Sequence, residues 1–128
     1  EMCIRDRPGR EGWRVEFPGG EVHRLARAAV ATSGDRYQYV EAAGVRYSHI
    51  LDPRTGLGIP ASPTVAVVAP DATTADVLAS ALTVLDAEAG RALVAGLDGV
   101  AARVTHRTGE GISWETEGFP VPPPGPAG

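Results

Sequence analysis

The sequence predicts an α+β fold in which strands, mostly antiparallel, flank one inserted pair of helices. Two observations favour this fold. Short segments with the two-residue alternation of half-buried strands recur along the chain, and turns rich in Gly and Pro separate them. Residues 73–85 instead follow the helical period, and residues 87–95 come directly after them as a second helical segment. With 128 residues, the chain makes at most one domain of ordinary size.

The composition excludes several functional classes. The net charge is −4 and no run of basic residues occurs, which argues against nucleic acid or an anionic membrane surface as the main partner. Cys3 is the single cysteine, so an internal disulfide and a cysteine-based zinc site are both excluded. No apolar run approaches the roughly 20 residues that a helix needs to cross a bilayer.

The first half of the chain predicts five strands. Their order follows from the alternation of apolar residues and from the turn residues between them. The predicted elements are a hairpin of strands over 13–17 and 22–32 with a turn at 18–21, a break at 33–35, two strands over 37–39 and 45–51 joined through 42–44, a loop over 57–63, and a buried strand over 64–69.

The strand over 45–51 carries a histidine towards a turn. His49 shares the predicted strand face of Val45, Tyr47 and Leu51, so its side chain either packs in the core or points into a cavity, and the first is the commoner arrangement. The turn that follows begins with Asp52, whose side chain is interpreted as a turn cap.

The segment 73–85 predicts a helix with two different faces. The core stripe is predicted to hold Leu78, Ala81, Leu82 and Leu85, and the opposite face to hold Thr73, Asp76, Ser80 and Thr83. Oxygen donors one helical turn apart, such as Asp76 and Ser80, are ligands that Mg²⁺ takes together with water and substrate phosphates. The alternative is a capping box of Thr73 with Asp76, in which the acid serves only the helix start. Both interpretations stay open, although Ser80 lies too deep in the helix to cap it.

The second half completes the domain. A second helix over 87–95 is predicted to start at the cap Asp86 and to end at Gly96, and a strand pair over 100–105 and 112–115 is joined by a turn at 108–111. Residues 1–11 are expected to be a non-native or disordered lead-in, residues 12–119 the domain, and residues 120–128 a Pro-rich disordered tail.

Three motifs stand in order along the chain: ATSGD at 31–35, SHILDPRTG at 48–56 and ADVLASA at 75–81. Together they resemble the C-terminal part of the ApbE family, the FAD:protein FMN transferases, over roughly residues 12–119. The resemblance implies the C-terminal part of an ApbE-like α+β domain. It also implies that the N-terminal half, which supplies most FAD contacts and a further metal ligand in that family, is not present in this chain.

The resemblance assigns roles to individual residues. Asp76 and Ser80 match the metal-ligating Asp and Thr of the family, with Ser80 in place of the usual Thr. His49 matches the histidine at the flavin diphosphate and is the expected catalytic residue. The expected cofactor-binding residues are His49, Ile50, Ser33 and Gly34. Asp52, Pro53 and Gly56 match the remainder of the motif and are expected to shape its loop.

The implied reaction requires Mg²⁺ and uses FAD as its substrate. FMN is transferred to a threonine hydroxyl of a target flavoprotein, and AMP leaves; this fragment alone is expected to be inactive. Two alternatives stay open, a Mg²⁺-dependent FAD pyrophosphatase that gives FMN and AMP, and a non-catalytic flavin-binding fragment. Family membership implies an extracytoplasmic or membrane-anchored enzyme, with any anchor upstream of this sequence, and a cytoplasmic location is the alternative.

Overall fold

The computed structural model describes residues 2–3, 12–34, 39–60, 63–105 and 112–121. Within these ranges the chain forms ten strands and two helices. In order they are β1 (Met2–Cys3), β2 (Trp13–Glu16), β3 (Val22–Leu25), β4 (Ala29–Ser33), β5 (Tyr39–Ala42), β6 (Val45–Leu51), β7 (Gly58–Pro60), β8 (Thr64–Ala69), α1 (Ala72–Val84), α2 (Ala87–Ala95), β9 (Ala101–Thr105) and β10 (Ile112–Glu115).

A five-stranded antiparallel sheet forms the body of the fold. Its strand order is β1-β4-β8-β9-β10, and both helices are inserted in the sequence between its neighbouring strands β8 and β9. Strands β2 and β3 form a separate hairpin, and β5, β6 and β7 form a three-stranded sheet. The predicted α+β class with antiparallel strands and an inserted helical pair is therefore confirmed.

Strand β8 lies at the centre of the body and is buried on both faces. Val65 and Val67 belong to the core cluster on the side of the helices, and Ala66 and Val68 belong to the cluster on the side of the hairpin. A strand covered on both faces reads as a continuous apolar run, which is why the segment 64–69 could be identified from sequence.

The predicted single strand over 22–32 is wrong, because the chain leaves the hairpin within it. Strand β3 ends at Leu25 and β4 begins at Ala29, where the chain enters the five-stranded sheet. Arg27 lies between them with φ of 50°, a conformation that ends strand geometry. The hairpin then covers the second face of the sheet, with the buried ring of Phe17 packed edge-on against Phe119 at 5.2 Å between centroids.

Arg103 joins this layer to the strands beneath it. Its side chain is 10% exposed, and its Nε donates to Glu115 Oε2 at 2.7 Å while its Nη1 donates to Glu21 Oε2. The guanidinium also lies 4.5 Å from the ring centroid of Phe119. These contacts connect β9, β10 and the residue preceding β3. The hydrogen bond from Arg103 holds the pKa of Glu21 below its ordinary value.

The predicted loop over 57–63 is also wrong, since it contains a strand. Strand β7 pairs with β6 in antiparallel register, with Leu51 opposite Gly58 and Tyr47 opposite Pro60. Proline is acceptable there because β7 is an edge strand of its sheet. On the other side, Ala43 and Gly44 both have positive φ, as a tight turn between two strands requires.

Helix α2 has the predicted bounds. The Asp86 carboxylate accepts a hydrogen bond from the Ala89 amide at 2.8 Å, and Gly96 caps the other end. The strand predicted over 100–105 begins one residue later, and β10 is as predicted. The turn predicted at 108–111 lies outside the described residues, as do most of the predicted lead-in and tail, so the division into domain and flanks stays a prediction. None of the described helices is long and apolar enough to cross a membrane.

Candidate functional site

Helix α1 starts at a different cap from the predicted one. Oδ1 of Asp71 accepts a hydrogen bond from the backbone N–H of Thr74 at 2.8 Å, and its Oδ2 accepts one from the Thr74 hydroxyl at 2.9 Å. The helix therefore begins at Ala72 and ends at Val84, within one residue of the predicted ends. The capping-box alternative for Thr73 and Asp76 is wrong, because Asp76 lies beyond the first turn.

The buried face of α1 is rotated from the predicted stripe. It consists of Ala75, Leu78, Ala79, Leu82 and Thr83, which recur at intervals of three and four residues. Leu85, a predicted core residue, is 39% exposed, whereas Thr83, a predicted member of the polar face, is only 4% exposed. The small side chains of Ala75 and Ala79 allow the helix to pack closely on the sheet, and this brings Thr83 into the interior.

The exposed face of α1 retains Thr73, Asp76 and Ser80. Asp76 and Ser80 are one helical turn apart. Among the described residues neither side chain has a hydrogen-bonding or ion-pairing partner within the protein. A carboxylate and a hydroxyl without internal partners on one helix face are free to serve a ligand.

This pair of donors fits Mg²⁺. The described part of the chain contains no cluster of three or more His, Cys, Asp or Glu side chains that could hold a metal ion by themselves. Mg²⁺ does not require such a cluster, because it keeps several waters and is commonly held by one or two carboxylates and by substrate phosphates. The chemistry of the two donors is therefore compatible with the predicted metal, with most of its coordination supplied by water and substrate.

Ser33 ends β4 beside α1. The Ser33 hydroxyl oxygen lies 3.3 Å from the hydroxyl oxygen of Thr83, which is 50 residues later in the sequence. Gly34 follows at a close approach to β8, where an added Cβ would lie 3.3 Å from Thr64 Oγ1. The first motif is thus held against the C-terminal half of the helix that carries Asp76 and Ser80.

The Asp-Pro loop is stabilised by Asp52. Its Oδ1 accepts hydrogen bonds from the backbone N–H and the Nε of Arg54, at 2.9 and 3.1 Å, and its Oδ2 accepts one from Arg54 Nη2 at 3.0 Å. The backbone oxygen of Asp52 also accepts from Gly56 N–H at 2.8 Å. These bonds from Arg54 lower the pKa of Asp52. The interpretation of Asp52 as a turn cap agrees with this geometry, and the carboxylate is fully engaged within its own loop.

The same loop lies within electrostatic reach of the junction between the helices. The pKa of Arg54 is raised, mainly by the hydrogen bond and charge of Asp52 and further by the charge of Asp86. Asp86 is the N-cap of α2 and comes two residues after the end of α1. The second motif therefore interacts electrostatically with a residue just after α1, whereas the first motif makes a direct contact with the helix.

His49 and Ile50 lie in an irregular part of β6. The pairing of β6 with β7 shifts register between Tyr47 and Leu51, so β6 has extra residues there relative to its partner. Such bulges bend a strand and re-aim its side chains. The described neighbours on the predicted face of His49 are not buried, since Val45 and Leu51 are 38% and 60% exposed. The side chain of His49 itself lies outside the described part of the structure; Ile50 is half-buried.

Sequence reasoning missed one contact and one electrostatic interaction of the motifs with the helical pair. Thr83 was predicted to lie on the polar face, and Arg54 was not singled out. Counting the helical period from Ala75 and Ala79 instead of from Leu85 would have moved Thr83 towards the core. No local pattern indicates the electrostatic interaction of Arg54 with Asp86, because the two residues lie far apart in the sequence.

Comparison with known proteins finds a family and several relatives. The model described as the ApbE family matches residues 1–104. A FAD:protein FMN transferase of Vibrio cholerae is 48% identical over 66 residues, which are 51% of this chain and 20% of that protein. One of Treponema pallidum is 44% identical over 77 residues, which are 58% of this chain and 21% of that protein. The chain thus spans about a fifth of the length of these relatives.

Solved structures agree with the sequence matches. The apo form of the Pseudomonas stutzeri flavinyl transferase ApbE has a TM-score of 0.61 and 37% identity, over 82% of this chain and 34% of that one. The ApbE protein of Thermotoga maritima has a TM-score of 0.62 and 34% identity, over 78% of this chain and 36% of that one. These two proteins are therefore similar to this chain in sequence as well as in fold.

Proposed function

Because the chain belongs to the ApbE family, we propose that it forms one wall of the active site of a Mg²⁺-dependent FAD:protein FMN transferase. In the proposed reaction the hydroxyl oxygen of a threonine on a target flavoprotein attacks the phosphorus of the FMN half of FAD. The bond from that phosphorus to the bridging oxygen breaks, and AMP leaves with the electron pair. The names of the relatives, FAD:protein FMN transferase, support this class of reaction.

One observation carries the proposal for this chain. Parts of the three motifs lie along α1: Ser33 contacts Thr83 in its last turn, Arg54 interacts electrostatically with Asp86 two residues after its end, and Asp76 with Ser80 on its exposed face has no partner among the described residues. A capping role does not account for this exposed pair, since α1 already has its cap at Asp71. A ligand-binding role does account for it.

In this proposal Asp76 and Ser80 hold the Mg²⁺. When bound there, the metal neutralises charge on the diphosphate, which is the main requirement of phosphoryl transfer. Serine retains the hydroxyl of the threonine that the family carries at this position. The carboxylate of Asp76 supplies the charge and the hydroxyl of Ser80 the second oxygen.

His49 is proposed to accept the proton of the attacking threonine. Histidine is the residue type that titrates near neutral pH and is the commonest general base. Its position in the irregular part of β6, just before the Asp52 turn, puts it on a backbone that the loop hydrogen bonds hold in place. Ser33, Gly34 and Ile50 are proposed to contact the flavin nucleotide.

The test uses the gene product that carries this chain, incubated with FAD, Mg²⁺ and a target protein with an acceptor threonine. The expected result is covalent flavin on the target. This labelling should be lost when that threonine is replaced and when Mg²⁺ is removed by EDTA. Free FMN and AMP without a labelled target would instead indicate a pyrophosphatase. Formation of neither product while FAD still binds would indicate a non-catalytic flavin-binding protein.

A further inference from the structure

Thr83 is a buried polar residue that the proposed reaction does not use. Its side chain is 4% exposed, in the last turn of α1. The hydroxyl oxygen lies 2.9 Å from the carbonyl oxygen of Ala79 and 3.3 Å from the hydroxyl oxygen of Ser33. Ser33, by contrast, is partly exposed at the end of β4.

The number of protons fixes the direction of these two hydrogen bonds. A hydroxyl has one proton to donate and two lone pairs that can accept. A carbonyl oxygen can only accept, so the proton of Thr83 goes to Ala79, in the back-bond that Ser and Thr commonly make to the residue four earlier in a helix. Thr83 therefore has no proton left for Ser33, and the bond between the two hydroxyls requires Ser33 to be the donor.

We infer that Thr83 is a positioning residue, which binds the hydroxyl proton of Ser33 and leaves only lone pairs of Ser33 for a bound molecule. This inference rests on the proposed function. It specifies the part of the flavin nucleotide that Ser33 contacts: a group that donates, such as a sugar-chain hydroxyl or an N–H. A phosphate oxygen is disfavoured as the partner, because it would have to displace Thr83 as the acceptor of the Ser33 proton.

The backbone around Ser33 keeps this orientation in place. Ser33 lies opposite Val65 in the pairing of β4 with β8, and Gly34 packs against Thr64 directly after it. The serine is therefore held by a central strand on one side and by α1 on the other. Rotation of its hydroxyl away from Thr83 would leave a lone pair of a buried oxygen without a donor, which is unfavourable.

A double-mutant cycle tests the inference in the intact gene product. FAD affinity is measured by flavin fluorescence for the wild type, Thr83→Val, Ser33→Ala and the double variant. Thr83→Val is expected to weaken FAD binding about three- to tenfold, the range of one neutral hydrogen bond. If Thr83 acts through Ser33, the same substitution has no further effect in the Ser33→Ala background.

Two measurements separate positioning from a general structural effect. Thr83→Ser retains the hydroxyl and is expected to restore FAD affinity to within about twofold, even where its lost methyl lowers the melting temperature. Affinity for inorganic pyrophosphate, whose oxygens only accept, is expected to be no weaker in Thr83→Val than in the wild type, because the substitution releases the Ser33 proton.

An equal loss of FAD affinity from Thr83→Val in both backgrounds overturns the inference, as does a parallel loss of pyrophosphate affinity. Either result leaves the proposed function intact, since the wild type still binds FAD. A wild-type protein that binds no FAD overturns the proposed function instead, and the inference with it.

Discussion

Asp71, the cap of α1, and Asp76 within the helix are expected to affect different properties when each is replaced by alanine. The first substitution should lower stability, and the second should lower Mg²⁺ binding and transfer. Asp71 caps the helix through two hydrogen bonds from Thr74, at 2.8 and 2.9 Å. Asp76 has no partner among the described residues and lies exposed on the middle of the same helix. The first carboxylate serves the fold, and the second is free to serve a metal.

The expected magnitudes follow from these contacts. Asp71→Ala removes the only side-chain acceptor that the structure shows at this helix start, and the melting temperature is expected to fall by roughly 3–8 °C. Asp76→Ala removes no internal contact and introduces a better helix former, so the melting temperature is expected to move by less than about 2 °C. Loss of this ligand is expected to lower Mg²⁺-dependent FMN transfer at least about 100-fold.

The pH dependence of the Asp71 contribution has a definite sign. Hydrogen bonds from the backbone and side chain of Thr74 lower the pKa of Asp71 from its ordinary value of 3.8. The folded state therefore favours the carboxylate, and the stabilisation is fully present above pH 3.8 and is lost as pH falls through the lower folded value. The difference in melting temperature between wild type and Asp71→Ala is expected to shrink over that acidic range.

The assay pairs thermal unfolding with Mg²⁺ titration by calorimetry and with flavin transfer, on both variants of the intact gene product. We expect Asp71→Ala to have normal Mg²⁺ affinity and lowered stability. We expect Asp76→Ala to have normal stability and lowered Mg²⁺ affinity. Transfer activity retained in Asp76→Ala would refute the metal assignment. A large loss of stability in that variant would show that the carboxylate has a structural partner.

Three further changes test the fold and the loop. Gly90→Ala would place a Cβ 2.9 Å from Cζ2 of Trp114, so urea unfolding should show a loss of about 1–2 kcal/mol despite the helix propensity of alanine, and a gain would contradict this packing. Gly12→Ala adds a Cβ 2.5 Å from a backbone oxygen at φ of 75°, and a loss of at least about 3 kcal/mol is expected; a neutral result would mean that the backbone differs there. Asp52→Asn retains the turn acceptor but not the ion pair with Arg54, so its melting temperature should lie about 1–2 °C below that of the wild type at neutral pH. Because the pKa of Asp52 is lowered in the fold, the two melting temperatures should converge below pH 3.8. A difference that persists in acid would argue against the ion pair.

Elements with strong local signals could be predicted from the sequence. The apolar run 64–69 and the capped helix 87–95 were located to the residue, because burial on two faces and an Asp cap with a terminal Gly each leave a local pattern. The break at Arg27 leaves none, since no Gly, Pro or Asn marks it and its positive φ is imposed by the packing of the hairpin. Strand β7 was hidden for the opposite reason: its Gly and Pro indicate a loop, and only an edge position makes them acceptable.

The candidate site was predictable in its parts and not in its assembly. Asp76 and Ser80 are on an exposed face of a helix, as their spacing predicted. Their pairing with a metal, and the roles of His49, Ile50, Ser33 and Gly34, stay predictions. The contact of Ser33 with Thr83 spans 50 residues, and a period counted within one helix misplaced Thr83 by giving too much weight to Leu85.

The arginine of the Asp-Pro loop is one possible source of positive charge for a diphosphate bound at the proposed site. Arg54 is the obvious cation for it, being exposed and next to the motif, but both oxygens of Asp52 hold its guanidinium. To reach a phosphate its guanidinium would have to leave a bidentate pair with Asp52, although the backbone N–H of Arg54 would still cap the turn. Arg103 is no substitute, because it is buried between Glu21 and Glu115. Arg103 is thus held in buried contacts and Arg54 is engaged by Asp52, so a cation held by Asp76 and Ser80 is a more direct source of positive charge. For this reason we expect Arg54 not to compensate for the loss of the Asp76 carboxylate, so that transfer falls by the same factor of at least about 100.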